Sequence, residues 1–329
     1  MLTLRSVVFP RLKPVIIALA LIGFGVPATR GIAKEYSIVI EQKRIVERGS
    51  RIVIRNEYGD VRVAGSDRDT VEAIATNTNG SQAVPVTISE GSSGNQRVFT
   101  VSPVEGGRSA RQQINLEIKV PRDVELEAIG IRKGNIRVVD LNGGVRLRTD
   151  EGNITLSRVG SPEGGLVEAM VGSGNVDLSN INGDVRIVAI SSNITVQCVK
   201  GDVAARVSSG QIESSNIDGD VELNVSSGSA SFTGAIHSER RYRLRTLSGG
   251  VTMSIPDNVG FTAVLSAYSG RIDRDFQFSH ALRTAPPGRT NHRLIGMYGD
   301  GRGRIELDSF SGNVSLLKMV AGSVPDCQR

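Results

Sequence analysis

Residues 183–227 read GDVRIVAISSNITVQCVKGDVAARVSSGQIESSNIDGDVELNVSS, and this stretch repeats a short pattern at a fixed interval. A glycine, or Ser192 in its place, recurs every nine residues and is followed by a polar and then a β-branched residue. Glycine adopts positive φ without steric cost, and Asn and Asp tolerate it, so each pair predicts a tight turn. The alternating residues that follow predict a short strand with one buried face. The nine-residue step recurs elsewhere, at Gly134, Gly143, Gly152, Gly174, Gly228, Gly303 and Gly312.

Side chains match column by column only at an interval of eighteen residues, as in Asp184, Asp202, Asp220 and in Val185, Val203, Val221. In a β-solenoid each residue lies over its equivalent one coil below, about 4.8 Å away, which explains such columns. We therefore predict an all-β fold: a parallel β-solenoid, helix-like or roll-like, with about eighteen residues per coil. The alternative is a β-sandwich of short hairpin-linked strands, which gives no reason for matching columns. The absence of Trp and an aromatic content of 4% suit a thin core of Val, Ile, Leu and Ala.

The chain divides into four parts by pattern. We predict a signal peptide over 1–33, a strand-rich capping region over 34–128, the repeat solenoid over 129–320 and a tail over 321–329. Within the solenoid, inserts are expected at 158–165 and near Ser238, and a loop insert near 277–300. The capping region would cover the open end of the stack, as solenoids require.

The predicted leader has a basic start, an apolar run from Val15 to Val26, and small residues before a cut after Ala33. The run is too short to span a bilayer comfortably, and no second segment long enough to do so follows. Removing residues 1–33 lowers Lys plus Arg from 39 to 35 against 34 acids, so the net charge falls from +5 to about +1. A nearly neutral exported chain argues against a nucleic-acid partner. The one basic cluster, residues 240–243, is interpreted as a solvated edge.

Cofactor and metal sites are not expected. Cys198 and Cys327 are few for an exported protein; whether they pair is left open, and no recurring cysteine pattern favours it. With three scattered histidines they fall short of a zinc site.

The column Asp184, Asp202, Asp220 is the best candidate for a site, because stacked carboxylates repel unless they are hydrogen-bonded or bridged by a cation. Calcium needs six to eight oxygens and each turn offers one carboxylate. We therefore expect each Asp to cap the backbone N–H groups of its own turn, and we predict no metal residues.

No catalytic residues are predicted. A polysaccharide-cleaving enzyme would cluster acids and bases on one sheet face, whereas the outward positions are mixed: Asp177, Arg186, Thr195, Ala204, Glu213 and Glu222. The serine-rich turns have no nearby His and are interpreted as turn formers, and no nucleophile elbow or zinc helix motif is present.

Several stretches resemble the bacterial family known as putative adhesins, a domain of unknown function built from Ser-Gly-Asp/Asn-Val strand repeats. They are residues 57–63 (EYGDVRV), 173–176 (SGNV), 183–185 (GDV), 209–212 (SGQI) and the closing GRGRIELDSFSGNV of 301–314. The resemblance extends over about 36–318 and implies an exported β-solenoid with a role in adhesion. It implies no catalytic residues.

The function that these observations favour is a non-enzymatic, exported scaffold that presents a long face of regularly spaced side chains to a partner. Its partner would be a protein or polysaccharide of the envelope or surface, engaged through many weak contacts. The alternative is a periplasmic, envelope-associated module that binds a regulatory protein, for instance by strand addition at an open edge. A glycan-acting enzyme is the third hypothesis.

Overall fold

The computed structural model describes residues 42–77, 82–104, 113–161, 164–279, 282–283, 292–319 and 327. The predicted leader lies outside these residues. Within them the chain forms 28 strands and no helix, and the strands divide equally between two sheets.

Sheet 1 contains fourteen strands. They are β1 (Gln42–Ile45), β3 (Val61–Ser66), β4 (Thr70–Asn77), β5 (Ala83–Val84), β8 (Ile114–Pro121), β10 (Ile136–Leu141), β12 (Ile154–Gly160), β14 (Val176–Asn182), β16 (Ile194–Lys200), β18 (Ile212–Ile217), β20 (Ala230–Thr233), β22 (Val251–Ile255), β24 (Ile272–Arg274) and β28 (Val314–Lys318).

Sheet 2 contains the other fourteen. They are β2 (Arg51–Arg55), β6 (Val86–Ser93), β7 (Gln96–Pro103), β9 (Glu125–Lys133), β11 (Val145–Glu151), β13 (Leu166–Ser173), β15 (Asp184–Ser191), β17 (Val203–Ser209), β19 (Val221–Ser227), β21 (Arg241–Ser248), β23 (Phe261–Ser269), β25 (Leu282–Arg283), β26 (His292–Tyr298) and β27 (Gly303–Ser311).

From β8 to β24 the chain alternates between the sheets, and equivalent strands pair in parallel. Val203 is the register partner of Val185 on one side and of Val221 on the other, so residues eighteen apart are neighbours along the stack. The parallel pairing confirms the β-solenoid and excludes the sandwich of hairpins. The coil from Val145 to Val167 is longer, at 22 residues, and the coil from Val221 to Tyr242 has 21, which places the predicted inserts at 158–165 and near Ser238.

The core lies between the sheets and consists mostly of Val, Ile, Leu and Ala from the inward columns. Larger side chains are matched by small ones: Phe232, fully buried, has Ser214 as its register partner. The ring of Phe232 lies 5.1 Å from that of buried Tyr242. Such close packing explains why the composition is poor in aromatics, since each ring needs a compensating small residue in a thin core.

Near each end of the stack, one coil lies out of sequence order. Coil β2–β3 lies between β7–β8 and β9–β10, and coil β27–β28 lies between β21–β22 and β23–β24. Antiparallel strands follow outside them, including β4 on β8 and β26 on β23. The sequence predicts a loop near 277–300, but His292–Tyr298 within it forms β26. An antiparallel strand has no equivalent in the coil below, so a search for repeats does not detect it. The predicted domain boundaries remain predictions.

Candidate binding groove

The aspartate column binds backbone, although not in the way expected. The Asp184 carboxylate accepts the N–H of Asp202 at 2.9 Å, the Asp202 carboxylate that of Asp220 at 2.9 Å, and the Asp220 carboxylate that of Arg241 at 3.0 Å. Each side chain therefore caps the next coil rather than its own turn, because in a solenoid these N–H groups point along the stack axis. In the described part of the chain, no group of three or more His, Cys, Asp or Glu side chains could hold a metal ion.

At the turns that lead into the sheet 1 strands, asparagine side chains likewise accept the backbone N–H of the next coil. The Asn135 side chain accepts the N–H of Asn153 at 2.9 Å, and the Asn153 side chain that of Asn175 at 2.7 Å. Side-chain oxygens therefore form a ladder of hydrogen bonds at each of the two turns. Because these oxygens stabilise the stack, they are not available to bind a ligand.

Cys198 and Cys327 form a disulfide, with their Cα atoms 5.6 Å apart. Cys198 occupies a column in which the backbone is left-handed, with φ between 52° and 60°, and its other members are Asp140, Arg158, Asn180 and Asn216. The disulfide joins two segments separated by 129 residues. Nothing periodic in the sequence marks it, because Cys327 has no place in the repeat.

The basic cluster of residues 240–243 is not a uniformly solvated edge. Tyr242 is fully buried, and its hydroxyl accepts the N–H of His237 at 3.0 Å. Burial raises the pKa of the Tyr242 hydroxyl. Arg243 forms an ion pair with Glu306 at 2.6 Å, so the cluster does not form a free basic patch.

The outward face of sheet 2 carries a column of alternating charges that the sequence did not reveal. Its successive register partners are Glu127, Arg146, Glu168, Arg186, Ala204, Glu222, Arg243 and Glu306. Arg146 donates to Glu168 at 2.7 Å, and Arg186 lies 3.4 Å from the same carboxylate. The hydrogen bond from Arg146 holds the pKa of Glu168 below its ordinary value. Opposite charges one strand apart stabilise the stack modestly.

At the C-terminal end of this column, one carboxylate serves two guanidinium groups. Glu306 accepts hydrogen bonds from Arg243 at 2.8 Å and from Arg245 at 2.6 Å. Burial alone would raise the pKa of Glu306, but the two guanidinium groups outweigh it and hold the pKa below its ordinary value. The Glu306 carboxylate is therefore ionised at neutral pH and occupied by its own neighbours.

Beside this cluster, three large apolar side chains project outward from adjacent strands, and we call them the apolar ridge. Leu247 on β21, Phe310 on β27 and Tyr268 on β23 lie at the same level of the register and are 58%, 52% and 48% exposed. The rings of Phe310 and Tyr268 stack, with centroids 4.7 Å apart and planes 6° from parallel. An exposed run of this kind on three neighbouring strands is typical of a binding surface.

A row of polar side chains lies beside the apolar ridge: it runs two residues earlier on β27 and β23 and continues onto the antiparallel strand β26. Asp308 on β27 is next to Ser266 on β23, and Ser266 is the register partner of Arg293 on β26. Among the residues that the structure describes, no hydrogen bond or ion pair engages any of these three side chains. Within the described part of the chain they therefore form a polar row whose donors and acceptors have no protein partner, unlike the charged column beside it.

The ridge and the polar row line a groove of about 880 Å³, which also includes Arg206, Asn224, Arg245 and Glu306. Its lining contains neither His nor Cys. A groove of this size accommodates a small or oligomeric organic ligand, with polar groups to orient it and an apolar wall to pack against. Sequence reasoning missed it because strand β27 separates β21 from β23, so residues 247, 310 and 268 become neighbours in an order that no repeat predicts.

Over the described residues, no helix is both long and apolar enough to cross a bilayer.

Comparison with known proteins gives a family match over most of the chain. No curated protein matches. Among solved structures, a "putative cell adhesion protein" from Clostridium sporogenes has 11% identity and a TM-score of 0.20, covering 85% of this chain and 99% of that one. A "putative lipid binding protein" from Parabacteroides distasonis has 10% identity and a TM-score of 0.23, covering 84% and 96%. With TM-scores this low, neither structure supports a conclusion about the function of this chain. The family model described as Toastrack DUF4097 matches residues 49–317, and the chain therefore belongs to the Toastrack DUF4097 family.

Proposed function

We propose that this protein is an exported, non-enzymatic binding scaffold that attaches to a molecule of the cell envelope or cell surface through the groove on sheet 2. The observation that carries the proposal is the exposed apolar ridge of Leu247, Phe310 and Tyr268 beside three polar side chains that no other described residue engages. The three ridge residues lie on β21, β27 and β23, each paired with a strand on both sides, and this pairing holds the ridge in place before a ligand arrives. Rigid presentation lowers the entropy cost of binding.

Export is supported by two independent features. The first 33 residues have the pattern of a signal peptide. The disulfide between Cys198 and Cys327 suits an oxidising compartment, because cytosolic thiols are kept reduced.

A binding role is favoured over catalysis by the chemistry of the groove. Its serines have no histidine among the lining residues to act as a base, and Glu306 is occupied by two arginines. Asp308 is a single carboxylate, whereas glycoside hydrolysis ordinarily requires a pair placed across the scissile bond.

The test is binding of the purified protein to isolated cell envelopes, with Phe310→Ser as the variant. Ile190→Ser is the matched control, since Ile190 is exposed on the same face but lies outside the groove lining. We expect the wild type and Ile190→Ser to sediment with envelopes and Phe310→Ser to lose most of that binding. Equal sedimentation of all three would refute the groove as the binding site.

Cell fractionation with external protease separates the two exported locations. Digestion of the protein on intact cells would support a surface adhesin, and protection until the outer layer is opened would support the periplasmic alternative. Recovery in the cytoplasm would refute export. Release of products from envelope polysaccharides by the purified protein would refute the non-enzymatic role.

A further inference from the structure

We infer that the ligand of this groove is a linear, uncharged polysaccharide whose chain runs along the stack axis, across the strands. This inference rests on the proposed function and specifies the ligand class of the same groove. It is drawn from the pairing of the polar row with the apolar ridge, from the spacing of both, and from their charge.

The polar row has the groups that recognise neighbouring sugar hydroxyls. The Asp308 carboxylate accepts hydrogen bonds, the Arg293 guanidinium donates them, and the Ser266 hydroxyl between them does both. Because none of the three is engaged by another described residue, binding would not require breaking an existing ion pair. A sugar hydroxyl both donates and accepts, so a polyol can satisfy the whole row.

The apolar ridge complements the other face of a sugar. A pyranose ring has aliphatic C–H groups on its faces, and these pack on aromatic and aliphatic surface. The stacked rings of Phe310 and Tyr268, extended by Leu247, form a continuous wall over three strands. On β27 and β23 the wall and the polar row are only two residues apart, so one sugar ring can contact both.

The spacing favours a glycan over a peptide. Groups on adjacent strands repeat about every 4.8 Å along the axis, whereas an extended peptide advances about 3.3 Å per residue. An extended sugar chain advances by roughly one strand spacing per sugar. Successive sugars can therefore occupy equivalent positions, and Asp308 and Arg293, two strand steps apart, would contact different sugars of one chain.

The charges disfavour the other macromolecules. A nucleic acid needs a strongly basic surface, but here Arg243 and Arg245 are paired with Glu306, and Arg206 lies 3.5 Å from Glu222. With Asp308 and Arg293 included, four arginines face three carboxylates, a net charge of only +1, which is too small to favour a polyanion strongly over an uncharged chain.

The experiment measures binding of the purified protein to neutral oligosaccharides of increasing length. The probes are β-1,4-linked glucose, N-acetylglucosamine and mannose oligomers from dimer to hexamer, with oligogalacturonate as the acidic comparison. We expect at least one neutral series to bind, with affinity that rises with length until the groove is filled. We also expect Phe310→Ser and Asp308→Ala each to weaken binding about tenfold or more, with Ile190→Ser unchanged. Thermal unfolding identifies any variant that fails to fold. If Asp308→Ala fails to fold, Asp308→Asn is used in its place.

Three results would overturn the inference: no binding of any neutral series, binding that Phe310→Ser and the Asp308 variant leave unchanged, or stronger binding of oligogalacturonate. If Phe310-dependent attachment to envelopes persists while no neutral oligosaccharide binds, the proposed function stands and the ligand class is wrong. If envelope attachment itself is absent or independent of Phe310, the proposed function fails.

Discussion

Gly249 and Gly250 are adjacent in the chain, yet an alanine should be harmful at one and harmless at the other. Gly249 has a φ of 134°, and a Cβ built there would lie 2.6 Å from the carbonyl carbon of Gly228 in the coil below, and closer still to its oxygen. Gly250 has no left-handed φ, and the nearest atom to an added Cβ is 3.7 Å away. The pair thus separates the effect of stacking from the general effect of replacing glycine.

The cost of Gly249→Ala has two parts. A non-glycine residue held in a sparsely populated backbone region costs about 1–3 kcal/mol. Relieving the overlap requires the two coils to separate locally, which lengthens the bonds between them, such as Gly228 N–H to the Ser248 carbonyl at 2.8 Å and Ala230 N–H to the Gly250 carbonyl at 3.1 Å. Each bond contributes about 1 kcal/mol. Together, the free energy of unfolding should fall by about 3–5 kcal/mol for Gly249→Ala.

The assay is denaturant unfolding followed by far-ultraviolet circular dichroism on the wild type and both variants. Gly250→Ala should match the wild type or gain about 0.5 kcal/mol, because alanine lowers the entropy of the unfolded chain. If the two variants lose the same stability, or if Gly249→Ala loses less than about 1 kcal/mol, the stacked-glycine account is refuted.

Four further outcomes are expected. Val203→Asp, at a position 1% exposed between the sheets, should lower the thermal midpoint strongly and unfold neighbouring coils, because it buries an unpaired charge; an unchanged midpoint would contradict the register. Cys198→Ser should lower the free energy of unfolding by about 2–4 kcal/mol under oxidising conditions. Adding reductant should lower the stability of the wild type to the same value. If the variant is as stable as the oxidised wild type, the disulfide does not stabilise the fold. The pKa of Glu306 is lowered from its ordinary value of 4.5, so its ionised form stabilises the fold above that pH, and this contribution disappears as pH falls through the folded-state pKa. The difference in unfolding free energy between the wild type and Glu306→Gln should therefore become smaller in acid. A difference that grows in acid would contradict the prediction. Asp202→Ala should lose about 1 kcal/mol in denaturant unfolding while Asp202→Asn, which keeps the acceptor for the next coil, loses less, and equal losses would count against the inter-coil cap.

The charged column and the capping ladders show where reading along the sequence falls short even inside the regular repeat. Arg186, Ala204 and Glu222 appeared unrelated as outward residues, but the register places them in one alternating column with Glu168 and Arg243. The aspartates were recognised as caps, yet their partners lie one coil away. In both cases the residue types were informative, and the contacts depended on what the stack places beside them.

The sequence by itself determined the all-β class, the eighteen-residue coil and the inward columns such as Val185, Val203 and Val221. These depend on local properties, glycine at turns and alternation in strands, which are repeated often enough to align with each other. Only the tertiary structure decided the rest: the out-of-order coil β27–β28, the antiparallel strand β26, the disulfide to Cys327 and the groove beside Phe310 and Tyr268. Each of these joins segments far apart in the chain at a single place, and a contact made once leaves no periodic mark in the sequence.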